Sequence, residues 1–253
     1  MKKSSTFILP VTLALLGALI PRAHSETPAP KPAETVPVPP ATPTPVPPKL
    51  PKGIRYKPPG TGAATEKVTG GTRAGGGDFP VLSVLAPGHE GLTTQAQPTL
   101  FWYQSAPAKV DLNLKIIEPN KADPMLTILV GSQQKAGISA ISLARQKLSL
   151  KPNVSYEWNV SFTVDPKSPS KNLVAKGVIK FVEPPADLAA RVEKASEAER
   201  AGIYAESGYW YDALRSISLA IAAEPKNAAL HQIRANLLDQ GKLTEAAAAE
   251  RKQ

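Results

Sequence analysis

The side chains able to carry out chemistry are few and widely spaced. Histidine occurs at 24, 89 and 231, too scattered for a metal cage or an acid–base set. Cysteine is absent, which excludes disulfides, thiol nucleophiles, iron–sulfur clusters and cysteine-ligated zinc. A carboxylate pair for polymer hydrolysis would have to be drawn from Glu90, Asp111, Glu118, Asp123 and Asp165. Of these, Glu118 and Asp123 directly precede Pro119 and Pro124, a context of turns rather than clefts. Gly70-Gly71-Thr72-Arg73-Ala74-Gly75-Gly76-Gly77 has the glycine density of a phosphate loop, but it lacks the Gly-Lys-Ser/Thr ending and follows no strand. In Phe101-Trp102-Tyr103, alternation sends Trp102 to one face and Phe101 with Tyr103 to the other. Trp102 and Trp158 are read as core, whereas Phe101 or Tyr103 is the candidate platform for a sugar ring. No catalytic, cofactor-binding or metal-ligating residue is assigned on these grounds, no cofactor is expected, and the chain is read as a non-enzyme.

The elements that would carry these residues fall into four blocks. Lys2 and Lys3, an apolar run over residues 7–20, and Ala23-His24-Ser25 form the pattern of a secretory signal peptide cut after Ser25. The run contains Pro10 and is shorter than the ~20 residues a membrane span needs. No later stretch is apolar enough to span a membrane, so the mature chain is expected outside the cytoplasm, secreted across the inner membrane into the periplasm. Residues 26–77 follow as a linker. Thirteen of the 27 prolines fall between Glu26 and Pro59, too many for regular helix or sheet, and they favour extended polyproline II. Val36-Pro37-Val38-Pro39-Pro40 has the composition of a docking peptide, although a semi-rigid tether accounts for it as well. The net charge of +9 is spread as +3 over 1–25, +3 over 26–79, +5 over 80–182 and −2 over 183–253. Lys109, Lys115, Lys121 and Lys135 are separated as on a solvated strand face, so nucleic acid is not an expected partner.

Residues 78–183 change to short runs of period two bounded by turn residues. Strands are predicted over 81–85, 99–104, 109–117, 125–130, 138–143, 155–164 and 174–182. Val110, Leu112, Leu114 and Ile116 point one way with Asp111, Asn113 and Lys115 opposite; Tyr156, Trp158, Val160, Phe162 and Val164 likewise share a face. No helix intervenes, so about seven antiparallel strands in an immunoglobulin-like β-sandwich are expected. Leu148-Ser-Leu150-Lys-Pro152-Asn-Val-Ser-Tyr156-Glu-Trp158 resembles the corner before the sixth strand of fibronectin type III domains. That resemblance implies a Tyr156 hydroxyl bonded to backbone upstream.

Residues 184–253 are rich in alanine, glutamate and arginine. Helices are predicted from an Asp187 cap to about Ser196, then over 198–207, 211–223, 228–240 and 243–251. Gly208-Tyr-Trp-Tyr-Asp212-Ala213 recurs as Gly241-Lys-Leu-Thr-Glu245-Ala246 at a spacing of 33 residues, close to the tetratricopeptide period. Ala220 and Pro225 resemble that repeat's small and closing positions. At most two units are present, fewer than such arrays need to stand alone, so this block is expected to pack on the β block or on another protein.

The order of Gly71-Thr72-Arg73, Leu82 to Pro87, Gly91-Leu92-Thr93, Pro98-Thr-Leu-Phe101-Trp102-Tyr103, Tyr156-x-Trp158 and Ala205-Glu206-x-Gly208-x-Trp210-Tyr211-Asp212-Ala213-Leu214 resembles a bacterial family known as domain of unknown function 928. The resemblance covers roughly residues 70–220 and implies export, with no catalytic residues. It also implies cysteines near the glycine-rich entry and after the sixth strand; Thr163-Val164-Asp165-Pro166 stands at the second place here. The expected function is that of an exported adaptor whose partner is another envelope protein or a peptide. The alternative is a carbohydrate- or peptidoglycan-binding envelope protein.

Overall fold

A computed structural model describes residues 53–60, 79–165, 167–168, 170 and 172–253, all within the unit Val46–Gln253. The expected signal peptide and most of the expected linker lie outside the described residues. Eight strands form two sheets: β1 (Leu82–Val84), β2 (Gly91–Thr93), β3 (Thr99–Gln104), β4 (Asp111–Ile117), β5 (Leu126–Gly131), β6 (Gly137–Ser142), β7 (Ser155–Thr163) and β8 (Leu173–Phe181). One sheet has the order β1-β3-β6 and the other β2-β8-β7-β4-β5. Five helices follow: α1 (Ala186–Glu193), α2 (Glu197–Glu206), α3 (Trp210–Ala223), α4 (Ala228–Gln240) and α5 (Thr244–Glu250).

Period-two patterning places the core where alternation predicts it. Leu112, Leu114 and Ile116 of β4 face Phe162, Val160 and Trp158 across the β4–β7 ladder, and all six are fully buried. Tyr156 is buried at the head of β7, and its hydroxyl accepts from the Lys151 N–H at 3.1 Å. Three expectations are corrected. The strands are not all antiparallel, because β2 pairs in parallel with β8. β2 was also not expected at all: Gly91-Leu92-Thr93 is too short to show a period, and it is a strand only because β8 offers it an edge. The Phe101 and Tyr103 platform does not exist either. Both side chains are 6% exposed, on the face of β3 turned away from Leu100 and Trp102, where α3 packs on β3 and α5 on β6.

Local signals set the helix starts. Ser196 caps α2 in a capping box, with Glu199 Oε2 accepting from the Ser196 N–H at 2.9 Å. Asn227 caps α4 by accepting from the Ala229 N–H at 3.2 Å. For α1 the cap position is Pro185 rather than Asp187. Proline's fixed φ suits an extended residue before the first turn, and Asp187 inside that turn complements the helix dipole instead.

The first turn of α3 joins the helices to the sheets. The Trp210 Nε1–H donates to the Leu85 carbonyl at 2.9 Å. The Tyr211 hydroxyl accepts from Trp158 Nε1 at 2.9 Å and donates to the Val178 carbonyl at 3.1 Å. Asp212 accepts from the Thr94 N–H at 2.9 Å, the Thr94 hydroxyl at 2.7 Å and the Gln95 amide at 3.3 Å. Two glycines make room: a Cβ on Gly91 would lie 2.6 Å from the Tyr211 ring, and one on Gly241 2.3 Å from the Trp210 ring. Tyr211→Phe is expected to cost about 2 kcal/mol, because it strands both a buried indole N–H and a carbonyl. Urea unfolding monitored by fluorescence reads that loss.

Residues 53–60, within the expected linker, are held against the helices. The Tyr56 N–H donates to Gln240 Oε1 at 2.7 Å, Gln240 Nε2 donates to the Ile54 carbonyl at 2.9 Å, and the Lys57 N–H donates to the Ala205 carbonyl at 3.0 Å. The Tyr56 ring meets Trp210 edge-on at 5.0 Å and stacks parallel on His89 at 5.7 Å. Burial raises the Tyr56 phenol well above its ordinary range. Proline density around this stretch hid the buried pair Ile54 and Tyr56, whose period-two spacing was the available signal.

Candidate functional site

Where α1, α2 and α3 meet, they enclose a groove of about 310 Å³. Its apolar side comes from Leu188 and Val192, four residues apart on α1 and so on one face of that helix. From α2 come Glu197, Arg200 and Tyr204, at intervals that again share a face; α3 contributes Arg215 and Ser216. Arg200 builds the wall. Its Nε donates to the Val192 carbonyl at 2.7 Å, and its Nη1 pairs with Glu197 Oε1 at 2.8 Å, so the α1–α2 turn is fastened by one guanidinium. The other Glu197 oxygen, Oε2, is buried without a hydrogen-bond partner among the described residues. The Tyr204 phenol is pushed up by burial and by the negative charge of Asp212, against the opposing pull of its Thr94 hydrogen bond and of Arg200 and Arg215. The groove therefore offers an apolar floor, an acceptor in Glu197, a phenol and the Arg215 guanidinium. This set suits an extended peptide with an apolar side chain near an acidic group.

Three of the five acids considered from sequence have local partners of their own. Glu90 accepts from the Ser155 hydroxyl in a short hydrogen bond and pairs with Lys180 at 3.4 Å. Glu118 meets Lys151 at 2.7 Å, and that hydrogen bond lowers its carboxyl and raises the Lys151 ammonium. Asp165 accepts from the Lys167 N–H at 2.9 Å. Asp111 starts β4 opposite Thr163, and Asp123 lies exposed before β5. His89 lies against Tyr56 and the Glu90 carbonyl. His231 is buried between Glu250 and the Pro225 carbonyl, at 2.5 and 2.9 Å. His24 lies outside the described residues. Sequence reading missed all the groove residues. The i, i+3, i+7 spacing of Glu197, Arg200 and Tyr204 was a usable signal, but only the crossing of α3 behind them makes a concavity.

Residues 68–251 match the model of a Domain of Unknown Function, DUF928. The chain belongs to the DUF928 family. Its match takes in every strand and helix from β1 to α5 and stops short of the 53–60 segment. No curated protein matches this DUF928 chain. Among solved structures it is similar to an engineered protein at 12% identity, over 41% of this chain and 20% of that one, with a TM-score of 0.27. It is also similar to a chitin-binding domain from Burkholderia pseudomallei at 14% identity, over 38% and 61% of the two chains, with a TM-score of 0.26. A multi-domain immunophilin from Arabidopsis thaliana shares 9% identity over 81% of this chain and all of that one, at a TM-score of 0.15. The DUF928 chain thus spans one fifth of the first structure's length and less than two thirds of the second's.

Proposed function

We propose that this DUF928 protein is an exported, non-enzymatic interaction module of the periplasm. In this reading a proline-rich tether carries an immunoglobulin-like sandwich, and tetratricopeptide-like helices present the α1–α3 groove to an extended segment of another envelope protein. The signal-peptide pattern expected over residues 1–25 supports the compartment. The observation that carries the binding role is the groove itself, where Leu188 and Val192 lie beside a buried unpaired Glu197 oxygen and the Arg215 guanidinium. No helix among the described residues is long and apolar enough to cross a membrane.

A photo-crosslinking residue at Val192 in intact cells is expected to trap one discrete partner. The same residue at Lys176, in β8 of the larger sheet, is expected to trap none. Arg215→Glu should weaken that capture about tenfold, since it replaces attraction to an acidic group with repulsion. Equal adducts at both positions, or no effect of Arg215→Glu, would count against the reading. Mass analysis of the mature protein should place its N-terminus at Glu26.

A further inference from the structure

Residues 53–60 sit on the helices as a bound peptide sits on its receptor. They form no helix and pair with no strand. The side chains of Ile54 and Tyr56 are buried, while Arg55, Lys57 and Pro58 are exposed. The remaining hold is on the backbone. Gln240, an exposed residue at the last position of α4, spans two peptide units of the segment. Its Oε1 accepts from the Tyr56 N–H at 2.7 Å, and its Nε2 donates to the Ile54 carbonyl at 2.9 Å. A further bond from Nε2 to the Asn236 carbonyl, at 2.9 Å, orients that amide. The Lys57 N–H reaches the Ala205 carbonyl at 3.0 Å, and Gly208, at φ +84°, makes room beside it. A Cβ on Gly208 would lie 3.1 Å from the Lys57 carbonyl oxygen. The Tyr56 ring meets Trp210 and His89, and its hydroxyl lies 3.3 Å from His89 Nε2. His89, Ala205, Gly208, Trp210 and Gln240 all fall within the family match over 68–251, whereas the segment they hold precedes it.

We propose that this cleft is a peptide-docking site, that residues 53–60 are its resident ligand in cis, and that it takes from another protein an extended segment of the pattern aliphatic-x-tyrosine. The chemistry follows from what the resident segment uses. Bonds from Gln240 and Ala205 go to backbone groups, so they select an extended chain of any sequence. Specificity falls on two alternate side chains: a branched aliphatic, and a ring met by two aromatic neighbours with a hydrogen-bond partner for its hydroxyl. None of the segment's hydrogen bonds belongs to a helix or a sheet ladder, so its release leaves every named element intact. Covalent attachment gives the resident segment an effective concentration on the order of millimolar, and a partner must outcompete it. The cleft is therefore closed to weak ligands and opened by a better one. It is separate from the α1–α3 groove, whose lining includes none of these five residues.

The probe is a fluorescein-labelled peptide of residues 53–60, Gly-Ile-Arg-Tyr-Lys-Pro-Pro-Gly. The receptor is the full chain carrying Ile54→Ser and Tyr56→Ala, which vacates the cleft. Fluorescence anisotropy is expected to give a Kd in the micromolar range. Wild type should bind the peptide at least tenfold more weakly, because its own segment leaves only a small fraction of clefts open. Adding Gln240→Ala to the vacated chain should weaken binding about tenfold, and a peptide carrying Tyr56→Ala should not bind. Circular dichroism confirms that each variant is folded. Wild type supplies a readout that needs no variant: millimolar peptide should speed hydrogen exchange at the Tyr56 and Lys57 amides and leave β4 and β7 unchanged. No binding to the folded vacated chain, equal binding to vacated and wild-type chains, or unchanged exchange at 56 and 57 would each overturn the proposal. A wild-type dimer that the peptide dissociates would make a second copy the occupant, and would overturn the assignment to another protein. Binding that depends on Gln240 and on the tyrosine ring, with faster exchange in wild type, establishes the site and its ligand class.

Discussion

Trp210→Ala is expected to lower the unfolding free energy by about 4 kcal/mol, the largest single loss foreseen for this chain. The indole is fully buried and is shared by three parts of the molecule. It donates to the Leu85 carbonyl in the chain leaving β1, covers Gly241 in the α4–α5 turn, and receives the edge of Tyr56. Truncation opens a cavity that rigid neighbours on three sides cannot collapse, and it leaves the Leu85 oxygen unpaired. Trp210→Phe keeps most of the volume and loses the donor, so about 2 kcal/mol is expected. Urea denaturation at constant m-value separates the two variants. Hydrogen exchange adds a spatial readout: the amides of Tyr56 and Lys57 should lose protection in Trp210→Ala before those of β4 and β7. A loss below about 1 kcal/mol for the alanine variant would show that the indole does not join these elements.

Asp212→Ala is expected to cost about 3 kcal/mol, because three donors from Thr94 and Gln95 then face no acceptor. The carboxyl is 1% exposed. Burial raises it above the ordinary carboxylate range, and the hydrogen bonds from Thr94, Thr93 and Gln95 only partly offset that. The sign of the pH effect follows. A folded-state pKa above the unfolded value means that the folded chain holds the proton to higher pH. The contribution from this group is therefore greatest below about pH 4, the unfolded value, and declines as pH rises through the folded pKa. Asp212→Asn keeps an acceptor and cannot titrate. Wild type should gain stability relative to Asp212→Asn as pH falls from 7 toward about 4, and a flat difference would contradict this.

The legible parts of the fold are those whose signal is local. β3 and α4 span the residues the pattern predicted, because alternation and helical period are repeated within a few residues of chain. Tyr156 is legible for the same reason, since its partner Lys151 is five residues away. Trp210-Tyr211-Asp212 stood out as a motif, but its purpose did not: its partners Leu85, Trp158 and Thr94 lie far back in the chain. Phe101 and Tyr103 show the opposite failure. Alternation correctly set them on the face away from Trp102, yet an outward face on an isolated sheet is a buried one when helices cover it.

By itself the amino-acid sequence determined the period-two block, the five helices that follow it and the order in which they come. It also determined the absence of thiol chemistry, because composition excludes what it does not contain. Only the tertiary structure decided that β2 is a strand and runs parallel to β8, that Ile54 and Tyr56 belong to the core, and that Arg215 and Glu197 line one groove. Each of these depends on residues distant in the chain meeting in space. Burial, hydrogen bonding and concavity belong to pairs of surfaces, and one segment read alone carries only its half of each pair.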